Sequence, residues 1–316
     1  MSALVDEVDT MEPFSHQAFL YADDEEYLAG TIPFVLQGVE RGEPVLVALP
    51  VARLDVLRPH LAHVAGDGLR FATMEDIGRN PAWIIPAWTD FVAPHAAAGR
   101  AVRGIGEPVW AARTADELVE CARHEALLNL AFADTAGFTL LCPYDTSVLD
   151  TAVLHEAHRN HPHICHTGEM SSSDHYQPEI PPLLDSTLPP IPDGTEMLEF
   201  GAATLSPIRS LTAARAAEAG LSEARVADLV VALSEAMTNT VRHAGGTGTL
   251  ALWREGDRFL CEVRDPGRIT DPLAGRVRPD PLQADGRGVW LMNQLCDLVQ
   301  LRALPDGQAV RLHMAG

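Results

Sequence analysis

The stretch from Thr167 to Gly194 constrains this chain most. It carries six prolines and the runs Ser-Ser-Ser-Asp, Pro-Glu-Ile-Pro-Pro and Pro-Pro-Ile-Pro-Asp-Gly, with no apolar period. Proline lacks the N–H that a helix or a sheet ladder needs, so the stretch is expected to resist both and to act as a semi-rigid linker. It splits the 316 residues into two blocks, each long enough to bury its own core. The expected division is a first domain over 14–165, an acidic Pro/Ser-rich linker over 166–195 and a second domain over 196–316.

The blocks differ in pattern. Before the linker, apolar runs at Ala18–Tyr21, Val45–Leu49, Leu69–Met74, Val102–Ile105 and Phe138–Cys142 read as strands. Helical patterns near 25–41, 52–62, 82–98, 115–131 and 147–159 lie between them, an alternation that predicts an α/β domain with a parallel sheet. After the linker, Met197–Thr204 reads as a strand, and Ser206-Pro207 opens a helix that Gly220 ends. Ser222 caps a longer helix running to His243. Strands at Thr249–Arg254 and Arg258–Arg264 flank a Glu-Gly-Asp turn. A Pro/Gly/Asp-rich stretch, a helix at Val289–Leu295 and two strands at 298–303 and 308–314 complete an α+β sandwich.

Composition removes several chemistries. All 23 basic residues are Arg. Without Lys there is no P-loop lysine, no Schiff-base amine and no strand lysine of the eukaryotic kinase type. Any nucleotide must be held by backbone amides, Arg, Asn and a metal ion. The replacement of Lys by Arg matches the codon bias of a GC-rich bacterial genome. The net charge of −21 is uneven: 24 acidic against 10 basic groups in 1–165, 5 against none in 166–195, and 15 against 13 in 196–316. The first block should repel nucleic acid and anionic membrane, so neither is an expected partner. The longest charge-free stretch, Tyr27–Val39, has 13 residues, too few to span a bilayer. The acidic N-terminus does not read as a secretory signal. Five cysteines without CxxC spacing fit reduced thiols, and a cytoplasmic protein is expected.

The helix after Ser222 carries the chemistry. Val226, Leu229, Val230, Leu233, Met237, Thr240 and Val241 fall within one arc of about 120°, and Glu235, Asn239 and His243 stand on the opposite side, four residues apart. A solvated helix surface can look the same. Two further segments make the pattern more specific. Asp265-Pro-Gly267 ends a strand, where Asp can accept from an exocyclic amine and Gly lets a planar ring approach. Asp285-Gly-Arg-Gly-Val-Trp-Leu places two glycines before an apolar helix, where free amides suit phosphate oxygens.

In this order and spacing the segments resemble the ATP-binding fold shared by gyrase, heat-shock protein 90, histidine kinases and MutL (the GHKL or Bergerat ATPases). Residues 197–316 look most like the anti-sigma-factor serine/threonine kinase branch. The resemblance implies ATP and Mg²⁺ as cofactors, with Asn239 holding Mg²⁺ and Glu235 acting as general base on an acceptor hydroxyl. It implies that Asp265 accepts from the adenine amine, with Gly267 beside the ring. Residues 268–285 would form the ATP lid, though without the glycine run of many relatives. Gly286, Arg287 and Gly288 would contact phosphates, and His243 occupies a common position of the same motif. The implied partners are a sigma factor and/or an anti-sigma-factor antagonist, and a homodimer is left open. A histidine-kinase reading fits less well, because a Pro-rich linker stands where a dimerising helical hairpin would precede the domain. A non-catalytic, ATP-dependent binding switch remains the alternative to a kinase.

In the first block, His16-Gln-Ala-Phe-Leu-Tyr21, Asp23-Asp-Glu-Glu26, Gly104-Ile-Gly-Glu107, the helix bearing Glu125, Leu128 and Asn129, and Cys142-Pro-Tyr-Asp145 resemble the MEDS sensory domain. The resemblance implies a RecA-like α/β fold without a working P-loop and a small-molecule signal. His16, Tyr21, Glu107, Tyr144 and Asp145 become candidates for a pocket at strand ends. His155, His158, His161, His163, Cys165 and His166 have spacings that could converge on a metal, but no second ligand pair lies nearby in sequence and the run reads better as the end of an ordinary last helix stopped at Pro162.

Overall fold

The computed structural model describes residues 11–64, 66, 68–166, 169–178, 187–280 and 286–316. The linker positions 167–168 and 179–186, the lid positions 281–285 and the N-terminal ten residues lie outside the described residues. The chain forms two compact units. The first takes in the chain up to Ile77, Ala87–Thr114 and Leu128–Pro178; the second takes in Gly78–Pro86, Ala115–Leu127 and Glu179–Gly316.

The first unit is built on strands β1 (Ser15–Tyr21), β2 (Val45–Leu49), β3 (Leu69–Thr73), β4 (Val102–Gly106), β5 (Phe138–Asp145), β6 (His163–His166) and β7 (Glu169–Ser172). Helices α1 (Asp24–Glu40), α2 (Val51–Leu61), α3 (Met74–Ile77), α4 (Ile84–Ala97), α5 (Ala115–Ala131) and α6 (Thr151–Asn160) lie between these strands in the chain, α4 up to Pro86 and α5 up to Leu127 being counted with the second unit. The sheet order is β3-β2-β4-β5-β1-β6-β7, parallel except for the β6–β7 pair. All five residues of β2 are buried, as befits a strand covered on both faces. In β4, Gly104 makes room for Trp88: a Cβ there would lie 2.6 Å from the indole. No phosphate loop opens α1. Asp23 caps it by accepting from Glu26 N at 2.9 Å, and Asp24, Glu25 and Glu26 fill its first turn, placing acids where an anion would otherwise sit.

One expectation is corrected here. The chain from His163 does not leave the sheet. β6 pairs parallel with β1, and Glu169–Ser172 returns antiparallel along β6, so the Ser-rich run Ser171–Ser172 is part of a ladder. Serine next to an edge strand gives no periodic signal, because every residue of β7 is exposed. The sheet is parallel as expected apart from this one antiparallel pair at its edge.

The second unit holds β8 (Met197–Gly201), α7 (Leu205–Glu218), α8 (Glu223–His243), β9 (Thr247–Glu255), β10 (Arg258–Asp265), α9 (Arg287–Leu295), β11 (Leu298–Leu304) and β12 (Gly307–Ala315). Its sheet runs β11-β12-β10-β9-β8 with all four pairings antiparallel. One face carries the core: Leu229, Leu233, Met237, Leu250, Leu252, Val263, Val310 and Leu312 are buried together. On Ala251, Trp253 and Leu260 packs Ile191, and Arg311 donates to the Pro189 carbonyl at 2.6 Å, so the end of the Pro-rich stretch is pinned to this sheet. Ser222 caps α8 as expected, accepting from Arg225 N at 3.4 Å. Ser206 does not cap α7. A 3₁₀ turn over Ala202–Thr204 leads into that helix, and the Thr204 hydroxyl accepts from Gly201 N at 3.0 Å, which puts Ser206 one residue inside.

Candidate functional site

A cleft of about 220 Å³ opens in the second unit. Asn239 and His243 reach it from α8, Asp265 and Gly267 from the end of β10, and Gly286 and Gly288 from the start of α9. Six of the eight sequence-predicted residues are thus brought together by elements distant in sequence. Glu235 stands beside them. A Cβ placed on Gly288 would lie 3.1 Å from Glu235 Oε2 and 2.9 Å from Asn239 Nδ2, so the opening turn of α9 faces both side chains and leaves no room for more than glycine. Gly286, at φ +87°, sets the chain direction into that helix, a conformation that favours glycine.

Arg287 behaves differently. Its side chain is exposed, donates to the Asp280 carbonyl at 3.4 Å, and is not among the residues lining the cleft, whereas Arg268 is. Arg268 was missed in the sequence because it follows the Asp-Pro-Gly motif without a spacing rule of its own.

Asp265 is buried and fixed. Its Oδ2 accepts from the Thr240 hydroxyl at 2.7 Å and its Oδ1 from Gly267 N at 2.8 Å. A Cβ on Gly267 would lie 2.7 Å from the Ala244 Cβ, so glycine is required for the strand end to pass α8. Gln308, from β12, also lines the cleft, and its Oε1 is buried with no hydrogen-bond partner among the described residues. Thr240 and Gln308 escaped sequence reading for different reasons: Thr240 looked like one more residue of the apolar arc, and Gln308 is placed by a β12 register that no local pattern reveals.

The donor set suits a nucleotide with a hard cation. An amide oxygen and a carboxylate suit Mg²⁺, glycine amides at a helix start suit phosphate, and a fixed carboxylate with an unpartnered buried amide oxygen suits an amine-bearing ring. Part of the loop beyond the cleft is anchored. Asn293 donates to the Gly275 carbonyl at 3.0 Å, and the buried Arg276 donates to Glu120 at 3.0 Å. Glu120 also pairs with Arg123 at 2.9 Å and Arg302 at 2.7 Å. Burial alone would raise this carboxyl, yet Arg123, Arg302 and Arg276 together hold it below the ordinary carboxylate range.

In the first unit the five sensory candidates divide. Tyr21 donates to Glu107 Oε1 at 3.2 Å, at the carboxyl ends of β1 and β4. Asp145 joins them through Arg53, which pairs with it at 2.7 Å and lies 5.1 Å from the centre of the Tyr21 ring. Burial pushes the Glu107 carboxyl up to about 8, Arg53 opposing only in part. His16 is at the other end of β1, roughly 16 Å along the strand at 3.3 Å per residue. Tyr144 stands opposite Leu20 near the carboxyl end of the ladder, but its ring is edge-on to His161 at 5.6 Å and not in the Tyr21–Glu107 corner. The histidine run does not converge: His161 is buried, whereas His155 and His166 are exposed.

Among the described residues no helix is long and apolar enough to cross a membrane. Residues 15–162 match the MEthanogen/methylotroph, DcmR Sensory domain family (MEDS), and residues 199–314 match the histidine kinase-like ATPase domain family. A solved structure of the RsbU and RsbW domains of Rv1364c from Mycobacterium tuberculosis is similar at 18% identity and a TM-score of 0.28, covering 39% of this chain and 33% of that one. The chain thus spans about a third of that protein's length. No curated protein matches the chain. Carrying these two matched segments in sequence, the chain joins a MEDS sensory domain to a histidine kinase-like ATPase domain.

Proposed function

We propose that the second domain binds Mg-ATP and acts in the cytoplasm as an anti-sigma factor, as a serine/threonine kinase on an anti-sigma antagonist, or as both, under control of a signal sensed by the first domain. The observation that carries the reading is the convergence of Glu235 and Asn239 on the glycine start of α9. A bound Mg²⁺ would neutralise phosphate charge, and Asn239 is the residue that would hold it. Asp265, held by Thr240, accepts from the adenine amine, and Gln308 offers a second acceptor nearby. The amides of Gly286 and Gly288 face phosphate. Glu235, one helical turn before Asn239, takes the proton of the acceptor hydroxyl; a site that only bound nucleotide would need no base there.

In the first domain, the Tyr21–Glu107–Asp145 corner at the strand ends is the proposed signal site. It holds a carboxyl that burial keeps largely neutral near pH 7, so it can donate as well as accept.

A second reading rests on Arg287. The arginine that lines the cleft is Arg268, and Arg287 at the glycine start of α9 does not line it, which favours a switch that binds ATP and captures a partner without transferring phosphate. Transfer of γ-labelled phosphate to an antagonist co-purified with the protein separates the two. The kinase reading expects transfer by the wild type and loss of it in Glu235→Gln with ATP affinity kept. Transfer that persists in Glu235→Gln contradicts the assigned base, and absence of transfer by the wild type supports the switch.

A further inference from the structure

His16, Cys142 and His161 meet in the interior of the first unit. Each is almost fully buried, at 0%, 1% and 0% exposure. The sequence brings them together in two steps. In the parallel β1–β5 ladder His16 is opposite Leu140, so Cys142, two residues on, projects from the same face of the sheet. His161 then arrives as the residue that ends α6, just before β6 joins β1. Candidate ligand atoms of the three lie within 4.8 Å of one another. The Cys142 thiol is 3.4 Å from His16 Nε2, and the two imidazoles are 4.0 Å apart centre to centre.

The surrounding hydrogen bonds fix which nitrogen faces which way. The Asn129 amide donates through Nδ2 to the Asn160 carbonyl at 2.7 Å, so its Oδ1, 3.1 Å from His16 Nδ1, can only accept, and Nδ1 carries the proton. His161 Nδ1 donates to the Ala157 carbonyl at 2.8 Å. Both rings in their neutral form therefore present an Nε2 lone pair. A second shell that donates from one ring nitrogen to a carbonyl or amide oxygen is the arrangement that orients histidines for a metal. Two ligands on a tetrahedral zinc stand roughly 3.3–3.6 Å apart at bond lengths of about 2.0–2.1 Å to nitrogen and 2.3 Å to sulfur, so the Sγ–Nε2 distance already fits and the remaining ones close by about 1 Å.

We infer that His16, Cys142 and His161 bind a borderline-soft divalent transition metal of the Zn²⁺ type. Imidazole and thiolate together select such an ion over Mg²⁺ or Ca²⁺. Binding forms two metal–nitrogen bonds and one metal–sulfur bond and releases the thiol proton to solvent. The site is distinct from the Tyr21–Glu107–Asp145 corner.

The test uses the full chain. Metal content is measured after expression with Zn²⁺ and dialysis, and the apoprotein is titrated with Co²⁺ and followed by absorbance. The comparison is with Cys142→Ser, His161→Gln, and a control in which His155, His158 and His175, whose rings lie near one another at the surface, are all changed to Ala. Each variant is checked for native circular dichroism. Expected are stoichiometric zinc and a thiolate-to-Co²⁺ charge-transfer band in the wild type and in the surface control. Cys142→Ser should lose the band, and Asn129→Ala should bind about 10–100-fold more weakly while keeping it. The proposal is overturned by folded wild type that takes up neither metal, by uptake unchanged in Cys142→Ser and His161→Gln, or by uptake that the surface control abolishes. Because the cobalt band is read on the wild type itself, a variant that fails to fold leaves the proposal open to contradiction.

Discussion

Thr240 and Asp265 come from different elements, α8 and β10, and are joined by a hydrogen bond of 2.7 Å from the threonine hydroxyl to Asp265 Oδ2. Since Gly267 N occupies Oδ1 at 2.8 Å, the carboxylate is held at both oxygens. Thr240→Val keeps the shape and removes the donor. Loss of a hydrogen bond to a charged group costs about 1.5 kcal/mol or more, so the apoprotein should lose stability by that order in denaturant unfolding, and ATP affinity should fall as well, measured by calorimetry. Unchanged affinity would show that Asp265 needs no such support.

Glu120 is the common partner of three buried arginines, Arg123, Arg276 and Arg302. Glu120→Gln removes the one negative charge among them and should destabilise the fold by about 3–5 kcal/mol, read from denaturant unfolding. The pH dependence follows from its depressed carboxyl. The stabilisation is present in full above the unfolded carboxylate's pKa and disappears as pH falls through the lower folded value. Stability of the wild type relative to Glu120→Gln should therefore shrink only on strong acidification.

Glu107 predicts the opposite trend. Its folded carboxyl is raised from 4.5 to about 8, chiefly by burial, so folding favours the protonated form. That contribution is complete below pH 4.5 and is lost as pH rises towards 8. Glu107→Gln keeps an acceptor for the Tyr21 hydroxyl without a charge to bury. Its thermal midpoint should match the wild type near pH 5 and exceed it above pH 8; a variant less stable across the whole range would contradict the assignment.

Much of this was legible in the sequence, and the gaps have physical causes. Val45–Leu49 and Ala115–Ala131 were readable to the residue because an apolar strand run and a long helical period signal themselves locally. The placement of Glu235 and Asn239 on one helix face, of Asp265 at a strand end and of Gly288 at a helix start was legible, because helix spacing and glycine positions encode it. Thr240 and Gln308 were not, since their roles arise from a contact across the α8–sheet interface and from strand register. The histidines near residue 160 gave a misleading signal: adjacency in sequence suggested a shared site, yet His161 turns inward to His16 and Cys142 and its neighbours do not. β7 was hidden for another reason: an exposed edge strand of Glu, Met and Ser has no buried face to impose a period.

The central claim is that Asn239 holds the cation that holds ATP. Calorimetric titration of ATP into the full chain, with Mg²⁺ and again with the cation chelated, tests it most directly. The account predicts saturable Mg²⁺-dependent binding by the wild type and its loss in Asn239→Ala, with the variant's circular dichroism and thermal midpoint preserved. ATP binding of equal affinity in wild type and Asn239→Ala, or binding indifferent to Mg²⁺, would contradict it.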